Sequence, residues 1–301
     1  MENLGVVDRL VDKHEVGLSV PGHACEAVFW HNPNFEKFGI RGRVVYVPGI
    51  PGDTLNEFGE EASHWNLGGK KWVVWGVPHS GLYGDRGIAK KSGVVPEDWV
   101  WDAKVVIKHE YSKEMPLAVI GHSFGGLFAL AALADLAREE KIDRYHSQIR
   151  LITVSSPSYF ITSLPDTQPL LGTNSNDEFS FYPEPMASVF AFEHIWDYLQ
   201  AINLGGALAD RDKFNTNLMH LIEGLEKRVA VLGNGEIKVI TLFSKQDRWV
   251  GEKAGRDLQQ MIQKRILVEG FDIPSSSYTS MVDVNAHDLV KEWSRAVYKY
   301  I

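Results

Sequence analysis

A short apolar run, Pro116-Leu117-Ala118-Val119-Ile120, leads into Gly121-His122-Ser123-Phe124-Gly125 and leaves through Gly126-Leu127-Phe128-Ala129-Leu130-Ala131-Ala132-Leu133-Ala134. The first run reads as a buried parallel strand and the last as a strong helix former. Between them the chain has only the pentapeptide G-x-S-x-G in which to turn. A strand-to-helix turn that tight strains the backbone of its central serine and lifts the hydroxyl above the sheet edge. It also demands small residues two before and two after the serine, because a Cβ at either place meets the opposite arm of the turn. Gly121 and Gly125 meet that demand. Ser123 is therefore the candidate nucleophile.

Other apolar runs repeat the pattern. Ala27-Val28-Phe29-Trp30, Val44-Val45-Tyr46-Val47 and Trp72-Val73-Val74-Trp75 read as strands before the pentapeptide, and Ile149 to Val154 and Val239 to Phe243 as strands after it. Runs apolar throughout fit strands covered on both faces. Helical patterns lie between them over Glu97 to Tyr111, Phe124 to Glu140 and Glu252 to Leu267. Alternating strands and helices predict an α/β fold built on a doubly wound, mostly parallel sheet, with the whole chain, 1–301, as one domain. The interval from about 157 to 233 breaks the rhythm. It holds Pro165, Pro169, Gly172, Pro183 and Pro185, then Met186, Val189, Phe190, Trp196, Leu199 and Ile202 at helical spacing. It is expected to be a helical cap inserted after the sixth strand. Most of its apolar residues would form its own core, and Phe190 and Trp196 are candidates to face a ligand.

A serine hydroxyl is a poor nucleophile until a base takes its proton, and the base needs an acid to hold its tautomer. In hydrolases with such a turn the chain order is serine, acid, histidine. The chain has 11 histidines, and only His287 follows the candidate acid. That acid is Asp247, which comes just after the strand over Val239 to Phe243; Asp166 and Asp177 in the cap are substitutes. An oxyanion needs two backbone donors. Phe124 N–H, next to the nucleophile, is one. The other comes from the loop Pro48-Gly49-Ile50-Pro51-Gly52, where the prolines have no N–H, which leaves Ile50 as the candidate. Gly49 would let the backbone approach the substrate. His79 is expected at the rim of the pocket. His122 beside the serine points elsewhere than the hydroxyl, and reads as a structural neighbour of the substrate site.

Several classes are excluded or disfavoured. The formal charge is −8 with no lysine or arginine cluster, so nucleic acid is not an expected partner. The sole cysteine, Cys25, permits no intrachain disulfide. With no basic-then-apolar start, that points to a cytoplasmic protein. The longest apolar run is about half the roughly 20 residues of a membrane span, so no transmembrane segment is expected. No spacing of histidines or cysteines suits a metal, and no G-x-G-x-x-G follows a strand, so neither metal nor cofactor is expected.

Together the Pro48 to Gly52 loop, the Gly121 to Gly126 turn, Asp247 and His287 resemble the α/β-hydrolase superfamily. The G-H-S-x-G-G sequence looks like those of its esterases, lipases and thioesterases. The resemblance implies an eight-stranded, mostly parallel sheet, a Ser-Asp-His triad and no cofactor. Pro48 departs from the histidine that many members carry before the oxyanion glycine. The P-G-x-P-G loop, the His79 segment and the G-H-S turn are also similar to the lipid-droplet-associated serine hydrolases, which turns the expected substrate toward a lipid-like ester with an apolar acyl group. Thioester cleavage, acyl transfer and C–C bond hydrolysis use the same triad, and a non-catalytic binding protein of this fold is the reading from another class.

Overall fold

Val44, Tyr46, Val74, Ala118, Ile120, Ile152 and Leu242 sit on one face of a sheet, while Val45, Val47, Val73, Val119, Leu151 and Val239 sit on the other. Side chains alternate across a strand, so runs apolar at every position need cover on both sides. The computed structural model describes residues 12–20, 23–31, 39–49, 72–77, 79–80, 93–154, 156, 196, 199, 208–244, 252–272 and 290–301. Its strands are β1 (Asp12–Val20), β2 (His23–His31), β3 (Gly42–Val47), β4 (Trp72–Gly76), β5 (Leu117–His122), β6 (Ile149–Val154), β7 (Lys238–Ser244) and β8 (Leu267–Phe271). They form one eight-stranded sheet in the order β1-β2-β4-β3-β5-β6-β7-β8. Strands from β4 through β8 pair in parallel, and β2 pairs antiparallel with both β1 and β4.

The helices are α1 (Pro96–Glu110), α2 (Phe124–Arg138), α3 (Arg211–Glu223), α4 (Leu225–Gly233), α5 (Glu252–Met261) and α6 (Val290–Val297). Helix α1 starts with Pro96 at its first turn, where a missing N–H costs nothing, and the Asp98 carboxylate accepts from the Val95 N–H at 2.8 Å. Helix α2 is buried from Phe124 to Ala137 and forms the middle of the larger core layer, with α1, α3 and α4 beside it. On the other face α6 packs Trp293, Ala296 and Val297 against Tyr46, Ile120 and Val154.

Three expected helices differ at their ends. The α1 helix runs one residue earlier than Glu97 to Tyr111. Helix α2 stops at Arg138, not Glu140, and α5 at Met261, not Leu267. The two early stops share a cause. Glu140 (φ 56°) and Gln263 (φ 49°) are left-handed. The N–H of Lys141 reaches back to Leu136 O at 2.9 Å, and that of Lys264 to Gln259 O at 3.3 Å. Each is a Schellman turn made without its usual glycine. The chain freed after Met261 becomes β8, a half-exposed edge strand that begins at Leu267.

Of the interval 157–233, the described residues are Trp196, Leu199 and 208–233. Helices α3 and α4 belong to the main core. Phe214, Leu218, Leu225, Val229 and Leu232 are buried with α1 and α2, and Phe214 meets Trp99 edge-on at 5.9 Å. Asp210 caps α3 by accepting the Lys213 N–H at 3.0 Å. Phe214→Ala should therefore lower the stability of the whole chain by about 3–5 kcal/mol in one cooperative transition, measured by denaturant unfolding. A helix on a separately folding unit would leave the main transition in place.

Candidate active site

Strand β5 ends at His122 and α2 begins at Phe124, so Ser123 alone makes the turn. Its backbone lies at φ 51°, ψ −132°, a region that non-glycine residues rarely occupy. Such a conformation costs about 1–3 kcal/mol and persists only where its surroundings over-determine it. Here they do. The Ser123 N–H donates to Val154 O at 2.9 Å, and its own carbonyl accepts from the Gly126 N–H at 2.9 Å. A Cβ on Gly121 would stand 2.5 Å from Gly126 Cα. One on Gly125 would collide with the carbonyls of Val47 and Pro48, and one on Gly126 with the Ser156 side chain. The three glycines are required by the fold of the turn.

The serine sits where the carboxyl ends of several strands converge. Val47 at the end of β3 pairs with Gly121, and Val154 at the end of β6 pairs with His122. Gly49 lies directly against Ser123: a Cβ there would be 2.8 Å from Ser123 Cβ and 3.4 Å from its Oγ. Phe124 is the first residue of α2, so its N–H is among those with no acceptor inside the helix. The positive end of the helix dipole thus faces the space beside Ser123. A negative oxygen forming there would meet helix N–H groups at no reorganisation cost.

His79 lies beneath this loop rather than at a pocket rim. It is 3% exposed, with its ring against Trp99 at 5.6 Å and Phe128 at 5.4 Å. Its Nε2 is 2.9 Å from Pro48 O. A carbonyl can only accept, so Nε2 carries the proton and donates. Burial pushes the imidazole down to about 4, against the smaller upward pull of the Pro48 bond, so the ring is neutral near pH 7. The next residue, Ser80, is fixed through Asp102 of α1, which accepts the Ser80 N–H at 2.7 Å and its Oγ–H at 3.0 Å. Trp99 Nε1 donates to Ser80 O at 2.9 Å. The sequence pointed to His79 but not to Asp102, which there looks like one more polar position on an amphipathic helix.

No protein-family model and no curated protein matches the sequence. Solved structures do match it in shape. A soluble variant of monoglyceride lipase from Saccharomyces cerevisiae is 15% identical with a TM-score of 0.54, over 95% of this chain and 95% of that one. The 2-hydroxy-6-oxo-6-phenylhexa-2,4-dienoate hydrolase of Rhodococcus sp. strain RHA1 is 14% identical with a TM-score of 0.53, over 87% of this chain and 91% of that one. A carboxylesterase from the thaumarchaeon Nitrososphaera gargenis gives 14% and 0.51, over 94% and 95%. The chain has the α/β-hydrolase fold.

In this α/β-hydrolase fold His122 faces away from the hydroxyl side. It is buried and stacked on Trp293 of α6 at 5.3 Å, on the face opposite α2. Trp196 is half-buried against the main core, and its Nε1 donates to Ala209 O at 2.9 Å. Leu199 is fully buried in the same core. Ile50, Phe190, Asp247 and His287 lie outside the described residues, as do Asp166 and Asp177. Among the described residues no group of three or more His, Cys, Asp or Glu is placed to hold a metal ion, and no helix is long and apolar enough to cross a membrane.

Two outcomes are expected. Ser123→Gly relieves the backbone, whereas Ser123→Ala keeps the strain. After glycine's own entropic cost in the unfolded chain, the glycine variant should be the more stable by about 1 kcal/mol, read by thermal melting of the pair. His79 is neutral in the fold down to about 4 and titrates from about 6.5 when unfolded. Between those values the unfolded chain binds the extra proton, so the contribution of His79 is present above pH 6.5 and is lost as pH falls toward 4. The shift is worth about 3 kcal/mol at most. His79→Gln should flatten the stability-versus-pH curve in that window, measured against wild type by denaturant midpoints.

Proposed function

We propose that this protein is a serine hydrolase of carboxylic esters that works through an acyl-enzyme. The observation that carries the reading is Ser123 itself: a serine held at φ 51° on a strand-to-helix turn, at the N-terminus of a buried helix, with Gly49 packed against it. A structural serine has no need of that strain. In the proposed mechanism Ser123 Oγ attacks the ester carbonyl while His287 takes its proton, and Asp247 holds the imidazole and stabilises it once charged. The N–H groups of Phe124 and Ile50 receive the oxyanion. His287 then gives the proton to the leaving alcohol and activates the water that releases the acid. Two connections support this. Strand β7 ends at Ser244, just before Asp247, on the same carboxyl edge as Ser123. Helix α6 begins at Val290, just after His287, and its Trp293 stacks on the residue next to Ser123.

The substrate class is proposed from the chain's apolar residues and its likenesses: esters with an apolar acyl group, bound near Gly49 and residues such as Phe190 and Trp196. A monoglyceride lipase and a carboxylesterase are among the solved structures of similar shape. The dienoate hydrolase and a thioesterase domain, also of similar shape, make a C–C and a thioester substrate sensible comparisons beside the esters.

A fluorophosphonate should label wild type, and Ser123→Ala should abolish both labelling and ester hydrolysis while the variant stays folded. Loss of a triad member costs several orders of magnitude in rate. Near wild-type turnover in Ser123→Ala sinks the proposal. The wild-type rate should fall as pH drops through the pKa of the base, about 6–7 for such a histidine, with a p-nitrophenyl ester under conditions where chemistry limits turnover. Along a series of such esters kcat/KM should rise with chain length, by up to about 0.8 kcal/mol for each methylene buried. A preference for acetate would overturn the assignment of an apolar acyl site.

A further inference from the structure

Gly49 must be glycine because its Cα lies too close to Ser123 for any side chain. That closeness has a consequence. Glycine has no side chain to anchor it and the widest backbone freedom of any residue. A loop that must present N–H groups to a developing oxyanion cannot be left that free, because a donor displaced by even an ångström loses much of its effect. Something outside the loop has to hold it.

We propose that His79 is a positioning residue for the oxyanion loop: its Nε2–H fixes the Pro48 carbonyl and thereby the plane of the peptide that enters Gly49. The inference rests on the serine-hydrolase reading, which is what makes this loop an oxyanion cradle. The geometry fits the task at each step. A peptide unit is planar, so holding the Pro48 oxygen also orients the Gly49 N–H on the far side of the same plane and fixes the point from which the chain runs on to the Ile50 N–H, the proposed donor. The hydrogen bond is 2.9 Å long and buried, where water does not compete for the carbonyl. The donor is itself immobile. Its ring is walled by Trp99 of α1 and Phe128 of α2, and its neighbour Ser80 is tied to Asp102 by two hydrogen bonds and to Trp99 by a third. Phe128 belongs to the helix that starts beside Ser123, so post and nucleophile share one rigid reference. Among the described residues Nδ1 finds no hydrogen-bond partner, and the Nε2–H bond holds the ring's polar side to Pro48.

The test uses His79→Leu, His79→Gln and His79→Asn in the full chain. It reads kcat and KM on p-nitrophenyl butyrate, the rate of fluorophosphonate labelling, and NMR exchange of the Gly49 amide. Glutamine places an amide N–H about where Nε2 stands, leucine fills the space with no donor, and asparagine is too short. His79→Leu and His79→Asn should lower kcat about 10–100-fold with KM changed by less than about 2-fold, since only the transition state loses a donor. His79→Gln should stay within about 3-fold of wild type, and Gly49 exchange should quicken in the leucine and asparagine variants only. If leucine does not fold, the glutamine–asparagine pair carries the comparison. The proposal is overturned if wild type is labelled yet the donor-free variants keep its kcat, or if all three lose activity alike in proportion to their melting temperatures. A wild type that no fluorophosphonate labels would instead remove the hydrolase reading, and unchanged Gly49 exchange in all variants would separately remove the positioning role.

Discussion

The strained backbone of Ser123 is the point on which the rest of this structure turns. A φ of 51° on a residue with a Cβ costs about 1–3 kcal/mol, and nothing local repays it. The repayment comes from both arms of the turn. β5 lies in the middle of the sheet, paired in parallel with β3 and β6 along its length. α2 buries Leu127, Phe128, Leu130 and Leu133 completely. Each such side chain contributes about 1.5–3 kcal/mol, so a few of them outweigh the strain. The ordering of costs explains the composition of α2. Gly125 lies where the helix touches the Val47 and Pro48 carbonyls and Gly126 where it touches Ser156 beyond the end of β6, and alanines follow. Large side chains are confined to the remaining positions. The turn that carries Ser123 is thus held by a helix that is almost wholly hidden, and Ser123 itself keeps only 8% of its surface exposed.

The far end of α2 is held by charge. Asp135 is buried and meets Arg228 of α4 at 3.0 Å, Arg138 at 2.9 Å and Lys104 of α1 at 3.8 Å. Arg228 continues to Glu97 at 2.6 Å, and Lys104 to Glu139 at 2.7 Å. Burial pushes the Asp135 carboxyl above its usual range, and Arg228, Lys104 and Arg138 pull it back. Ionised Asp135 therefore costs some stability at neutral pH that an apolar residue would not. Its effect is directional. An alanine-rich helix face could pack at several rotations and slides of similar energy, whereas a carboxylate shared by cations from two neighbouring helices fits one. Register set at Asp135 is carried along a stiff helix to Phe124, whose N–H is the proposed oxyanion donor.

Much of this was legible before any coordinates. Strands β3 to β7 announce themselves because burial on both faces leaves them apolar at every position. The turn at Ser123 is legible because its steric demands act within five residues. What escaped shares one property: it depends on something distant. Among the described residues β8 pairs with β7 alone and is half exposed, so Leu267 to Phe271, with a glutamate and a glycine, lacks the signature of a buried strand. β1 is likewise a sheet-edge strand whose sequence mixes charge and apolar residues. The ends of α2 and α5 were hidden because Glu140 and Gln263 take a conformation that usually advertises itself with glycine. Asp102 has no local signal at all, since its partner Ser80 reaches it through the fold. α3 and α4 read as part of an insertion because proline-rich sequence precedes them, yet their apolar stripes fit the same core as α1.

The proposed site therefore has two halves of different physical character. One is rigid and comes from within the sheet and α2: Ser123, Phe124, Gly49, and His79 behind it. The other, the proposed acid and base, lies on connections that leave β7 and enter α6. The second half has to be delivered to the first with ångström accuracy, and the opposite face of the sheet supplies a means. Trp293 of α6 stacks at once on Tyr46 at 5.8 Å and on His122 at 5.3 Å. Tyr46 is on the strand that leads to the oxyanion loop, and His122 is the residue before the nucleophile. One indole thus ties the helix that follows His287 to the two strands that carry the rest of the chemistry. This gives His122 a role consistent with its burial: it is the surface on which α6 is seated. A position next to the proposed nucleophile can in this way serve the proposed site from the back of the sheet, by fixing where the connection that carries His287 ends.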